Sequence, residues 1–328
     1  MTNVELTLPD EKPKQSKWMF GSDEFNLDGY IQFRPIYSEA LYTEIYRYHK
    51  DQEGQWDFAH DAGTGPGIVA EELAKRFTAV AASDPSTWYL AQAKQRLSSS
   101  SNIGTIIFGC HPAEDMSWLP EASVDMITIA EAIHWTEHEK VLKSASETLK
   151  PGGTLAIWNY GTLPFFVDST WPQGILEKIH ERWLERIKAT AKPDQIIRIK
   201  RSVQMSQSRM DVIQFDGDVW KSGVRRIHWN SHHPPMGLSK AFEYNGTFLS
   251  PNLDDVVERR EDKMLLSHFA DANWIRGYMD YLYPDLPSDS LTEDLLAELN
   301  KAMRETAEKP QLAWTVSVIL ASKCIKME

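Results

Sequence analysis

The sequence predicts an α/β protein in which a mostly parallel β-sheet carries helices on both faces. Short apolar strand patterns alternate with helical patterns between residues 53 and 161, as they do in parallel sheets. A loop with glycines at alternate positions, "DAGTGPG", lies between the first strand pattern and the helix pattern that follows. The composition, 42% hydrophobic and 25% charged over 328 residues, is typical of a globular protein.

The residues before this alternation are predicted to form a tail and a helical cap. Residues 1–20 are polar and show no periodicity, so we expect a disordered tail and no secretory signal. Residues 21–52 are expected to form the cap, because Ser38 can cap a helix on which Leu41, Ile45 and Tyr48 recur at helical spacing.

Residues 53–161 are predicted to form the core, with five strands separated by helices. The strand patterns are, in order, "WDFAHD", "FTAVAASD", "IGTIIFGC", "VDMITIAEA" and "TLAIWNYG". One helix pattern follows the glycine loop, a second covers residues 86–98, and a third contains residues 141–149 and ends at "KPGG".

Residues 162–250 break the alternation, and we expect them to form an inserted lid with several tryptophans. Its basic run, "RIKRS", is typical of a solvated helix face, and the alternative is a surface that attracts an anionic substrate. Residues 251–328 are expected to return to the core. They are predicted to hold a sixth strand in "VVERREDKMLL", two helices in "SHFADANWIRGYMDYLY" and "LTEDLLAELNKAMRETAEK", and a long antiparallel last strand, "QLAWTVSVILASK".

Charge and composition disfavour several classes of protein. A net charge of −12 argues against nucleic-acid binding, and no apolar run approaches the roughly 20 residues of a membrane span. Cys110 and Cys324 lie far apart, which fits a reducing compartment. We expect a soluble cytoplasmic protein. We also expect it to be a monomer or a homodimer and to act on a small molecule. His228 and His232 have the spacing of helical metal ligands, but Pro234 follows closely and no acidic cluster is near, so we expect no metal.

The glycine loop allows two interpretations of its ligand. Gly63, Gly65 and Gly67 let a ligand approach the backbone at a helix N-terminus, which suits either a dinucleotide or S-adenosyl-L-methionine. Asp84, at the end of the second strand pattern, can accept both hydroxyls of a ribose in either ligand, or can cap the next helix. Asp61 is unfavourable beside a pyrophosphate and favourable beside a sulfonium or an ammonium, so it indicates the cationic ligand.

Two further segments follow strand patterns. In "HPAEDMSW", the Ala113 backbone and Glu114 or Asp115 can meet the adenine edge, with Met116 and Trp118 on its faces. The alternative is a surface turn.

In "EAIHWTE", Glu131 is predicted to contact the cofactor, and His134 and Trp135 are predicted to act on the substrate. The carboxyl ends of parallel strands are where ligands bind, although packing beneath the next helix is the alternative for this pair. His134 can donate or take a proton, and the Trp135 indole can donate to a carboxylate.

These motifs resemble the class I S-adenosylmethionine-dependent methyltransferases of the type 11 group. "DAGTGPG", "ASD", "AED" and "LKPGGTLAIW" are similar to that group's successive motifs, and "YIQFRPIY" to its N-terminal segment. "DMITIAEAIHW" and "SASETLKPGGTLAIWNYG" are similar to fungal trans-aconitate methyltransferases. The resemblance covers about residues 28–161, and Pro112 departs from it beside the adenine position.

The resemblance implies a seven-stranded Rossmann-like sheet and S-adenosylmethionine as cofactor. It also implies that Tyr30 and Arg34 reach the methionine end of the cofactor, with Arg34 as the only cation nearby. The "HW" pair is similar to one in carboxyl methyltransferases, which favours a carboxylate acceptor and a methyl ester product. Alternatives are a hydroxyl, thiol or amine of a hydrophobic metabolite, a nicotinamide oxidoreductase, and a related protein that does not transfer methyl groups.

Overall fold

A mixed β-sheet forms the centre of the fold in the computed structural model, which describes residues 27–98, 104–168, 171–235, 242, 249–282, 291–304 and 309–325. Within those ranges the helices are α1 (Leu27–Gln32), α2 (Glu39–Asp51), α3 (Ile68–Ala74), α4 (Thr87–Leu97), α5 (His138–Thr148), α6 (Gln173–Thr190), α7 (Pro193–Gln207), α8 (Ala272–Leu282) and α9 (Glu293–Arg304). A 3-10 turn covers Ile133–Trp135.

The strands that the structure describes belong to two sheets. They are β1 (Phe58–Ala62), β2 (Ala79–Ser83), β3 (Thr105–Gly109), β4 (Val124–Ala130), β5 (Leu149–Tyr160), β6 (Phe165–Phe166), β7 (Arg225–Trp229), β8 (Val256–Arg260), β9 (Ser267–Phe269), β10 (Gln311–Ala313) and β11 (Val316–Ser322). The large sheet has the order β3-β2-β1-β4-β5-β11-β7-β8, and the small sheet has the order β6-β10-β9.

The strand order of the large sheet reverses between β1 and β4. Strands β1 to β5 are parallel, so β2 and β3 extend to one side of β1 while β4 and β5 extend to the other. Helices that follow β1 and β4 must therefore leave on opposite faces, which opens a crevice at the carboxyl ends of these two strands. This crevice positions the candidate site.

Small and β-branched residues explain why the centre of the sheet can be covered on both faces. Strands β2 ("AVAAS") and β4 ("VDMITIA") are buried along nearly their whole lengths. A strand buried on both faces carries a continuous apolar run instead of an alternation, which is the pattern that predicted these strands. The α/β prediction with a Rossmann-like sheet is confirmed.

The C-terminal strands differ from the sequence prediction. The expected long last strand is two strands, because the chain leaves the small sheet after β10 and enters the large sheet at β11. Strand β11 is antiparallel as expected, but it lies between β5 and β7 and does not end the sheet. The expected sixth strand, β8, forms the edge and is parallel to β7, so the described sheet has eight strands. The first residues of "SHFADANWIRGYMDYLY" form β9, and the helix begins only at Ala272.

The segment 162–250, predicted as a lid, also contributes to the large sheet. Its two helices, α6 and α7, are followed by β7, which contains His228 and Trp229. His228 therefore lies on a strand and not on a helix, and it contacts Ser317 across the sheet at 3.1 Å. No group of three or more His, Cys, Asp or Glu side chains in the described ranges is arranged to hold a metal ion.

The N-terminal cap helix forms where the sequence places it. Ser38 accepts a hydrogen bond from the Leu41 amide at 3.3 Å and caps α2, which buries Leu41, Ile45 and Tyr48 against the sheet. The predicted disordered tail, residues 1–20, lies outside the described residues. None of the helices in the part of the chain that the structure describes is both long enough and apolar enough to cross a membrane.

Candidate functional site

A cavity of about 270 Å³ lies at the crevice between the carboxyl ends of β1 and β4. The glycine loop, the ends of β2, β4 and β5, the segment after β3, and helices α6, α7 and α8 contribute to its wall. Most of the residues predicted for the site line this cavity: Arg34, Asp61, Gly63, Gly65, Asp84, Ala113, Glu114, Glu131, His134 and Trp135. The sequence therefore predicts a set of residues that the fold brings together.

The glycine loop turns sharply between β1 and α3. Gly63, Gly65 and Gly67 have φ angles of 76°, 52° and 79°, in the left-handed region that favours glycine. Gly63 and Gly65 face the cavity, and the Gly65 amide donates to Asp84 at 3.0 Å. Gly67 does not line it, because its Cα faces α4 and an added Cβ would lie 2.9 Å from Leu97. Gly67 therefore supports the loop from behind.

Asp84 is held at the end of β2 by two backbone donors. Its carboxylate accepts from the Gly65 amide and, at 2.8 Å, from the Ser86 amide. The residue that caps α4 is Ser86, whose side chain accepts from the Tyr89 amide, so the capping alternative for Asp84 was wrong. Burial raises the pKa of Asp84 to about 6, against the lowering effect of the two amides.

Asp61 is buried at the end of β1. Its carboxylate accepts from the Thr64 hydroxyl at 2.6 Å and from the Thr128 hydroxyl at 2.8 Å. Burial raises its pKa to about 6, since these neutral donors compensate only part of the cost of charging it. A cationic ligand group would favour the charged form of this carboxylate.

The segment after β3 supplies one side of the cavity. Ala113 is buried, and the Glu114 carboxylate accepts from the Glu137 amide at 2.9 Å. Asp115 is exposed and does not line the cavity. Met116 and Trp118, expected on the faces of the adenine, do not line it either: Met116 packs in the core and Trp118 stacks on His111.

Arg34 and Glu131 meet at the end of β5. Arg34 donates to the Tyr160 hydroxyl at 2.8 Å, and the Tyr160 amide donates to the Glu131 carboxylate. Burial raises the pKa of Glu131 to about 7, and the charge of Arg34 opposes this shift. Glu131 also has a φ of 50°, a strained value that persists only where its surroundings impose it. The structure describes Tyr30 as part of α1, but its side chain lies outside what is described.

His134 and Trp135 lie on the 3-10 turn after β4 and line the cavity. Burial, together with the charge of Arg34, lowers the pKa of His134 to about 3, so the imidazole is neutral at pH 7. The His134 Nδ1 atom is buried and has no hydrogen-bond partner among the described residues. A buried polar atom without a partner is costly to the folded protein.

The remaining wall comes from the segment 162–250 and from α8, and sequence reasoning missed its residues. Its apolar residues are Leu184, Ile187, Ile199, Val203 and Leu282. Arg198 also lines the cavity, so the prediction that Arg34 is the only nearby cation was wrong. Arg198 opens the "RIKRS" run, but no sequence signal tells which arginine or lysine of that run faces inward.

The tryptophans of the predicted lid do not contribute to this wall. Trp183, Trp220 and Trp229 are buried in the core and do not line the cavity, and neither does Trp171. Their indoles instead fix the helices and strands of the segment 162–250 in place.

The residues present fit S-adenosylmethionine better than a dinucleotide. Asp61, Asp84 and Glu131 place three buried carboxyl groups in one cavity, which matches a ligand with an ammonium, a sulfonium and a ribose diol. A pyrophosphate would add negative charge to the same place, at a high electrostatic cost in a buried site.

Comparisons with known proteins agree with this chemistry. A sequence model of the family described as "Methyltransferase domain" matches residues 60–157. Methyltransferase pgmE of Aspergillus terreus is 32% identical over 317 residues, which are 90% of this chain and 92% of that protein. Methyltransferase cfoB of Aspergillus candidus is 28% identical over 311 residues, which are 90% of this chain and 93% of that protein.

The fold has a counterpart among solved structures. A candidate type II methyltransferase from Anaeromyxobacter dehalogenans superposes with a TM-score of 0.54 and 20% identity, over 88% of this chain and 97% of that chain. The fold, the cavity with its buried carboxyl groups, and the match along nearly the whole of a named methyltransferase lead to one conclusion. The chain belongs to the class I S-adenosylmethionine-dependent methyltransferases.

Proposed function

We propose that the enzyme transfers a methyl group to the carboxylate of a small molecule and forms a methyl ester. The observation that carries this proposal is His134, a buried neutral imidazole that lines the cavity. With a pKa of about 3, His134 is a weak base at neutral pH, and a carboxylate acceptor is already ionised and needs none. The resemblance to fungal trans-aconitate methyltransferases also supports a carboxylate.

The cofactor supplies an electrophilic methyl group on its sulfonium. Asp84 would accept hydrogen bonds from the ribose hydroxyls, and Ala113 and Glu114 would lie beside the adenine. Asp61 and Glu131 would favour the cationic groups, and Arg34 would pair with the cofactor carboxylate. His134 and Trp135 donate hydrogen bonds to the acceptor and hold one of its oxygens toward the methyl group. Orientation of the acceptor oxygen toward the methyl group is then the main source of rate enhancement.

The experiment begins with S-adenosylmethionine carrying a tritiated methyl group and metabolite extracts of the native host. A methyl ester releases volatile methanol in mild alkali, whereas an ether, thioether or methylamine keeps its label. With the recovered acceptor and saturating S-adenosylmethionine, whose cationic groups would favour the charged forms of Asp61 and Glu131, the rate should stay nearly flat from about pH 6.5 to 9, because neither the acceptor nor His134 titrates there. An alkali-stable product whose rate of formation rises toward the pKa of the acceptor would contradict the carboxylate and support a hydroxyl or thiol.

A substitution tests the part assigned to Trp135. Trp135→Phe keeps an aromatic ring and removes the indole N–H, so kcat/KM for the acceptor should fall about tenfold, near the 1.4 kcal/mol of one lost hydrogen bond. Trp118→Phe is the matched control, since Trp118 does not line the cavity. Equal kinetics in both variants would show that Trp135 serves only packing.

A further inference from the structure

The wall that α6, α7 and α8 add to the cavity combines an aliphatic surface with a single positive charge. Leu184 and Ile187 come from α6, Ile199 and Val203 from α7, and Leu282 from α8. Arg198 is the single lysine or arginine of these helices among the described residues that line the cavity. An aliphatic wall favours an apolar ligand body, and a guanidinium favours a carboxylate.

The other possible cations among the described lining residues do not come from these three helices. Arg34, the second cation among the described lining residues, lies at the end of β5 beside Tyr160 and Glu131. His134 is neutral at physiological pH because its pKa is about 3. Three carboxylates on one acceptor would therefore meet a single cation in this wall, and buried charges without partners are unfavourable.

Helix α7 gives Arg198 a defined place above the site. Arg198, Ser202 and Ser206 follow each other at intervals of four residues and all line the cavity, so they form one polar stripe along the helix. One turn away from Arg198, Arg201 donates to the Thr136 carbonyl at 3.2 Å, directly after the turn that holds His134 and Trp135. This bond connects α7 to the 3-10 turn Ile133–Trp135.

We propose that the acceptor is a largely apolar acid with one anionic group, and that Arg198 recognises that group. The inference rests on the proposed carboxylate methylation and names the substrate class that this cavity selects. It argues against a compact tricarboxylate as the natural acceptor, although the sequence resembles enzymes that methylate one.

Binding to the full-length protein loaded with S-adenosylhomocysteine tests the proposal by calorimetry. The probes are three apolar monoacids (octanoate, 4-phenylbutyrate and 2-naphthoate), their primary amides, and the tricarboxylates citrate and trans-aconitate. We expect at least one monoacid to bind at least tenfold more tightly than its own amide and than both tricarboxylates. If no monoacid binds at least tenfold more tightly than both its amide and the two tricarboxylates, the proposal is wrong.

Variants assign the selectivity to Arg198. Arg198→Gln should abolish the preference for acid over amide and leave the affinity for S-adenosylhomocysteine unchanged, whereas Arg198→Lys should keep part of the preference. Lys200→Gln is the matched control. Lys200 is exposed on the same helix, and its substitution removes one positive charge, as Arg198→Gln does. Retained selectivity in Arg198→Gln, or a loss of cofactor affinity in it, would overturn the role given to Arg198.

The product separates this inference from the proposed function. An alkali-labile ester formed on a tricarboxylate, with Arg198→Gln unaffected, contradicts the inference and leaves carboxylate methylation in place. An alkali-stable product from an apolar acid whose KM depends on Arg198 contradicts carboxylate methylation and leaves the inference in place.

Discussion

Three buried carboxyl groups dominate the chemistry of the cavity at the scale of single residues. Burial raises the pKa of Asp61 and of Asp84 to about 6 and that of Glu131 to about 7. Such groups lower the stability of the free protein at neutral pH, and they occur where a ligand of opposite charge compensates for them. A cationic ligand bound in the cavity would therefore relieve this cost to stability.

Asp84 should be the residue on which cofactor affinity depends most directly. Asp84→Asn keeps the shape of the side chain and removes the charge that accepts the ribose hydroxyls, so affinity for S-adenosylhomocysteine should fall by about 1.5–3 kcal/mol. Calorimetry at pH 8 measures the change, and Asp115→Asn, which alters an exposed residue outside the cavity, serves as control. Unchanged affinity in Asp84→Asn would remove the ribose assignment.

Lower pH should weaken cofactor binding while it stabilises this part of the free protein. Asp61 and Asp84 take up protons as the pH falls through about 6, and their neutral forms bind the cofactor less well. A carboxylate with a raised pKa binds its proton more tightly in the folded than in the unfolded state. Its cost to stability is thus complete above about pH 6 and disappears as the pH falls toward the ordinary value of 3.8.

The measurement is the difference in Tm with and without S-adenosylhomocysteine between pH 8 and pH 5. The difference should shrink as the pH falls, and it should shrink less in Asp84→Asn, which lacks one of the titrating groups. A difference that is independent of pH would show that neither aspartate titrates in this range.

At the scale of elements, the loop between β1 and α3 separates two kinds of glycine. Gly65 faces the cavity, where an added Cβ meets no atom within 4 Å, whereas Gly67 lies against Ala93 and Leu97 of α4. Gly65 therefore belongs to the ligand side of the loop, and Gly67 to the contact between α3 and α4.

Alanine substitutions should separate these two roles. Gly67→Ala imposes a strained φ of 79° and a clash with Leu97, so it should destabilise the fold by about 2–4 kcal/mol. Gly65→Ala meets no clash, so it should cost about 1 kcal/mol of stability and act mainly on cofactor affinity. Urea unfolding and calorimetry on both variants give the two quantities. Equal loss of stability in both would contradict the distinction.

At the scale of the whole molecule, an ion-pair network joins the N-terminal helix to the far edge of the sheet. Glu44 of α2 accepts from Arg47 and pairs with Arg225 of β7 at 2.8 Å and with Arg260 of β8 at 3.1 Å. Glu258 pairs with the same two strand arginines. The network connects residues that lie more than 200 positions apart in the chain.

Glu44→Gln tests how much this network contributes. The variant removes the negative charge that Arg47, Arg225 and Arg260 share. The free energy of unfolding should therefore fall by about 1–3 kcal/mol, a value between those typical of surface ion pairs and of buried ion pairs. Glu72→Gln is the control, since its pair with Lys75 lies at the surface, and it should cost less than about 0.5 kcal/mol.

The pH dependence of this contribution has the opposite sign to that of the cavity. Burial alone would raise the pKa of Glu44, but the bonds from Arg260 and Arg47 outweigh it and lower that pKa. The stability from Glu44 is therefore complete above the ordinary value of 4.5 and is lost as the pH falls through the lowered pKa. Urea unfolding at pH 7 and pH 4 should show the variant's deficit shrinking at the lower pH.

Local patterns in the sequence were enough to predict the first half of the fold and most of the cofactor side. The alternation of residues 53–161, the positive φ values of the loop glycines and the acidic strand ends at Asp61 and Asp84 depend on neighbouring residues, so the sequence carries them directly. The carboxyl ends of adjacent parallel strands must meet, which is why His134 and Trp135 were also placed in the site.

The part of the cavity that α6, α7 and α8 line was decided by long-range packing alone. Arg198, Lys200 and Arg201 stand together in the sequence, yet one lines the cavity, one is exposed and one bonds Thr136. That choice depends on the rotation of α7 about its axis, which its contacts with the turn Ile133–Trp135 help to fix. In the same way, the sequence "QLAWTVSVILASK" has the pattern of one strand. Its two halves pair in different sheets because β6 and β9 lie beside the first half and β7 lies beside the second.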